Sequence, residues 1–149
     1  MSFIDPMHNA GSAFLIAGAA FSAAAALLHL GCILFGAPWY RFLGAGERMA
    51  QAALDGRWYP TVVTLAIAVV LSIWSLYALS GAGVIGRLPF LRFGLCVITA
   101  IYLLRGIGFI PLMRRIPDNS FSFWIVSSLI CLVFGVVYLI GVRQAWAHL

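Results

Sequence analysis

The chain has 149 residues, of which 64% are hydrophobic and only 9% charged, and its mean hydropathy is +1.06. A soluble domain is usually about a quarter charged, so water is excluded as its main solvent. The formal charge of +5 comes from nine basic residues, all Arg, against Asp5, Glu47, Asp55 and Asp118; these Arg residues flank apolar runs, where anionic head groups lie, which points to membrane lipids as partners and away from nucleic acid.

The chain begins without a basic region, and its first apolar run is too long for a signal-peptide core, so that run is expected to stay attached. A hydrocarbon layer of about 30 Å needs about 20 helical residues. The first stretch of that length covers residues 12–35, holds His29 and Cys32, and stops at Gly36, Ala37 and Pro38. Gly18, Ser22 and Ala26 recur along it at a four-residue spacing, which suits close approach of another helix.

The connection from Pro38 to Arg57 is too long for a turn and has a helical period. Trp39, Phe42, Leu43, Met49, Ala50, Ala53 and Leu54 share one face, whereas Arg41, Glu47, Arg48, Gln51 and Asp55 fall largely on the other, as in a helix lying in the interface plane. Gly44 and Gly46 weaken its first half, where an irregular loop fits as well.

The second span is expected over 58–80, with Thr61, Thr64, Ala68, Ser72 and Ser75 at steps of three and four. Such a stripe reads either as a polar conduit or as tight packing with hydroxyls bonded back to the helix, and packing is the better account. The third span is expected over 89–110, opened by Pro89 and containing Arg92, Tyr102 and Arg105. The fourth is expected over 121–142, with Ser127, Cys131 and Gly135 four apart. The expectation is thus an all-α membrane protein, a single-domain four-helix transmembrane bundle over 1–149, with Trp39, Tyr40, Trp58, Tyr59 and Trp146 in the aromatic belt.

Arg41, Arg48, Arg57, Arg105, Arg114 and Arg115 lie by the first and third connections, and Arg87, Arg92 and Arg143 on the side of the termini. The positive-inside bias then puts both termini outside. Arg, Ala and Gly without Lys suggest a GC-rich bacterial genome, and hence a bacterial inner membrane.

His29 and Arg105 are the intramembrane polar residues hardest to explain by packing, since an ionisable group in a span is a functional-site hypothesis by default. Both lie about 8 Å inside the same interface by helix rise. With Tyr102, Glu47, Trp58 and Tyr59 they form the candidate ligand site, suited to an anionic or amphipathic small molecule such as a lipid. Against it stands the ability of Arg105 to snorkel to the head groups. His29 and Cys32 make only half a metal site, and no span holds an Asp or Glu for proton coupling. The three cysteines lack C-x-x-C spacing and lie at different depths. No metal, cofactor or catalytic residue is expected. The favoured reading is a non-catalytic protein that binds or moves such a molecule and could assemble as a homo-oligomer; the alternatives are an enzyme using His29 and Arg105, or a structural subunit of a larger complex.

Overall fold

In lipid, main-chain N–H and C=O groups find partners only within their own segment, so each long apolar run must wind into a helix. The computed structural model describes residues 6–108 and 121–149, with side chains from residue 11 onward. It contains α1 (Pro6–Phe35), α2 (Ala37–Phe42), α3 (Glu47–Leu54), α4 (Trp58–Gly81), α5 (Leu91–Ile107) and α6 (Phe121–Ala145). Among the described residues three segments are long and apolar enough to cross a membrane: Gly11–Phe35, Trp58–Gly81 and Phe121–Ala145, with mean hydropathies of 2.0, 2.3 and 2.6. Large apolar side chains such as Leu34, Val69 and Leu129 stay exposed on all three, as expected where lipid is the solvent. The chain therefore has the character of an integral membrane protein.

The expected third span is met in part. Helix α5 has 17 residues, about 25 Å by helix rise and at the short end for a hydrocarbon layer, so among the described residues it is not one of the three segments long and apolar enough to cross. Pro89 precedes the helix, and Phe90 caps it in the left-handed region at φ 52°. Side chains of α4 hold this connection in a turn. The Tyr77 hydroxyl donates to the Pro89 carbonyl at 3.1 Å, while Ser80 donates to the Gly86 carbonyl and accepts from the Leu88 N–H at 2.9 Å. At the other end, residues 109 and 110 of the expected span, with Arg114, Arg115 and Asp118, lie outside the described residues.

The interfacial segment forms two short helices instead of one. Gly44 at φ 74° and Gly46 at φ 93° reverse the chain, a backbone that favours glycine. Both helices still pack into one cluster, to which Trp39, Leu43, Met49, Ala50 and Ala53 of the expected apolar face contribute. Ala37, Tyr40 and Ala50 bury against Cys32, whereas Phe42 and Leu54 of the expected apolar face are 83% and 61% exposed.

The four long helices pack in the order α4, α1, α6, α5, with α4 and α5 closing more lightly and α1 diagonal to α5 without backbone contact. Small residues permit this. A Cβ on Gly18 would lie 2.8 Å from the Tyr138 ring, and one on Gly141 would lie 2.9 Å from Leu15. On α4 the inward stripe is Thr64, Ala68, Leu71, Ser75 and Ala78; Thr61 and Ser72 of the expected stripe are exposed, and Ser72 bonds back to the Ala68 carbonyl at 2.8 Å.

Ser22 sits where the four helices meet. Its Oγ lies 3.0 Å from the Tyr102 hydroxyl and 2.8 Å from that of Tyr138, which bonds the Trp74 carbonyl at 3.3 Å. The carbonyl can only accept, so one donor order satisfies every proton: Tyr102 to Ser22, Ser22 to Tyr138, Tyr138 to Trp74. Trp74 and Phe134 pack edge-on against the Tyr102 ring, with centroids at 4.8 and 5.4 Å.

Candidate functional site

One end of the bundle gathers the end of α1, the α2–α3 turn and the start of α4, with Phe123 of α6 packed over Gly44. Between α1, α2, α3 and α4 lies a groove of about 360 Å³, walled by Ile33, Trp58 and Val62 and lined also by Cys32, Tyr40 and Arg57. That volume is at the lower end of ligand-pocket sizes, about 300–1,000 Å³. The buried Tyr40 hydroxyl bonds Thr64 Oγ1 at 3.1 Å beside it. Arg57 is the N-cap of α4 in extended conformation, so the guanidinium stands at the positive end of a 24-residue helix dipole. Its Nε lies 3.8 Å from Asp55 Oδ2, with both side chains more than half exposed, a contact too loose and too wet to neutralise it. The lining thus combines apolar side chains with one guanidinium.

The six expected site residues fall in different surroundings. His29 turns back on its own helix, its Nδ1 lying 2.7 Å from the Ala25 carbonyl; since a carbonyl only accepts, Nδ1 carries the proton. Arg105 bonds α6 instead, donating to Ser128 Oγ at 3.2 Å and Ser127 Oγ at 3.0 Å, with its guanidinium 5.1 Å from the Trp124 ring centroid. The diagonal placement of α1 and α5 keeps these two residues apart. Tyr102 is 4% exposed and belongs to the Ser22 network.

Glu47 is claimed across the glycine turn by Arg41, whose Nε and Nη2 donate to its two oxygens at 2.9 and 2.6 Å, and by Gln51 at 2.8 Å. The Arg41 hydrogen bonds, followed by the one from Gln51, hold its carboxyl down at about 2, so it stays charged through the ordinary carboxylate range. Trp58 lines the groove and is 74% exposed; Tyr59, 54% exposed, does not line it.

The groove residues missed from sequence are Cys32, Tyr40 and Arg57. The signal available was the run Gly56, Arg57, Trp58, Tyr59 at a helix start, where a cation and two belt aromatics coincide. Tyr40 reads as another belt aromatic until α2 turns it inward. Comparison with protein-family models, curated proteins and solved structures finds no match for this chain.

Proposed function

We propose that this chain is a small polytopic protein of the bacterial inner membrane, non-catalytic, with four crossings and both termini outside, that binds an anionic amphiphile in the groove at the cytoplasmic end. The groove's joining of apolar walls to Arg57 at the head of α4 is the observation that carries this reading. The fourth crossing would be α5, which lies along α6 and closes on α4; its 17 residues are at the short end of spanning lengths. Binding is preferred to transport because the hydroxyls between the helices are used within the protein: Ser75 donates to the Ala19 carbonyl at 2.9 Å and Thr99 to the Leu95 carbonyl at 2.7 Å, besides the Ser22 network.

Native mass spectrometry in mild detergent tests the binding. Wild type is expected to retain anionic phospholipid and Arg57→Glu to retain about tenfold less, as loss of a charge-assisted contact and added repulsion would produce. Arg143→Glu at the opposite end should behave as wild type. Equal retention by all three would sink the groove reading, and the same spectra report stoichiometry. Reporter fusions test the orientation: Gly46 should read cytoplasmic and a fusion to Leu149 external. A cytoplasmic Leu149 would reverse the assignment of sides.

A further inference from the structure

A second cluster lies on α5 and α6, away from the groove, and it is rich in donors: the Arg105 guanidinium, the Trp124 indole N–H and two serine hydroxyls. Arg105 offers guanidinium N–H groups and has two neutral hydroxyls as its hydrogen-bond partners among the described residues. Because a guanidinium cannot accept, Ser127 and Ser128 must both accept from it, which leaves their own protons to be placed. The Ser127 proton has only a stretched contact of 3.5 Å to the Trp124 carbonyl. Trp124 itself is 2% exposed, and its indole Nε1–H has no acceptor among the described residues. That is the ring over which the Arg105 guanidinium lies.

Buried donors without acceptors are rare, because each forfeits its hydration without replacement. A half-buried guanidinium whose partners among the described residues are neutral hydroxyls and a ring face likewise suits a counter-charge. Both demands are met by one group that is negative and rich in lone pairs. The site is also rigid. At the same crossing, a Cβ on Gly106 would lie 3.0 Å from the Leu132 main-chain nitrogen, and one on Gly135 would lie 3.0 Å from that of Leu103, so the two backbones are already in contact. Arg105 and Ser127 are half-buried, which leaves an approach from the bundle surface.

We infer that Arg105, Ser127, Ser128 and Trp124 form a phosphate-oxyanion site on the α5–α6 face, distinct from the groove. A planar guanidinium offers two parallel N–H groups to such an oxyanion, which a lysine cannot. The phosphate could belong to a lipid head group or be free in solution, and the chemistry at the protein is the same.

The test uses the full chain in dodecyl maltoside and phosphate-free buffer, following the Trp124 indole N–H by NMR, with the resonance assigned by its disappearance in Trp124→Phe. Three additions are compared: phosphatidylglycerol, inorganic phosphate and a diacylglycerol without phosphate. A saturable downfield shift with phosphatidylglycerol alone supports the site and identifies a lipid source; a shift with inorganic phosphate supports it with a soluble source. In either case Arg105→Lys should bind about tenfold more weakly and Ser127→Ala measurably more weakly. The inference is overturned if no addition moves the resonance, if diacylglycerol moves it as far, or if the shift is unchanged in Arg105→Lys and Ser127→Ala. A structural role for Arg105 would alter unfolding in these variants without giving a phosphate-dependent indole signal.

Discussion

Gly135→Leu is expected to destabilise the bundle by about 3 kcal/mol or more, at the upper end of overpacking penalties, read as a lower unfolding midpoint in mild detergent. A Cβ at Gly135 would lie 2.7 Å from Leu103 Cδ2 and 3.0 Å from the Leu103 main-chain nitrogen. The leucine tip could rotate away, but the main chain could move only if α5 and α6 separated. Gly106 sets the same limit from the other side, facing the Leu132 main chain at 3.0 Å. Val133→Leu adds bulk on the same helix at a site 54% exposed and should shift stability by no more than about 0.5 kcal/mol. If both variants unfold alike, α5 does not pack on α6 in the way described, and the small face of α6 looks toward lipid.

Ser22→Ala should cost about 1–2 kcal/mol, more than Tyr102→Phe, because the two changes leave different groups unpaired. Removing the serine hydroxyl leaves the Tyr102 proton without its acceptor at a residue 4% exposed, whereas Tyr138 still donates to the Trp74 carbonyl. Removing the Tyr102 hydroxyl leaves Ser22 donating to Tyr138 at 2.8 Å, with no donor orphaned. The same serine change made in the Tyr102→Phe background should then cost less than in wild type, a coupling that a double-mutant cycle in detergent resolves. A Tyr102→Phe loss equal to or larger than that of Ser22→Ala would contradict the donor order through the four helices.

Hydropathy alone determined the helical class and the segments 12–35, 58–80 and 121–142, which correspond to α1, α4 and α6. The reason is that burial in lipid depends on length and composition, both of which are local. Small residues such as Gly18, Ser22 and Gly135 were legible as packing positions for a similar reason, since close approach requires small side chains whichever partner arrives.

Which partner arrives was decided by tertiary structure. Both His29 and Arg105 sit near one end of the bundle, but depth along a helix says nothing about azimuth, and the order α4, α1, α6, α5 puts them on diagonal helices. Arg105 therefore meets Ser127 and Ser128, while Glu47, expected near His29, is taken by Arg41 once Gly44 and Gly46 reverse the chain. The groove had no local signature of its own, because Cys32, Tyr40 and Arg57 come from three separate elements brought together by that turn. The shortening of α5 at its start was equally non-local: Pro89 is a good opening residue for a helix, yet Tyr77 donating to its carbonyl and Ser80 accepting from the Leu88 N–H hold it in the preceding turn. A pattern read along one helix carries its depth and its small face, whereas the rotation of each helix about its axis is set by the neighbours that fill the space beside it.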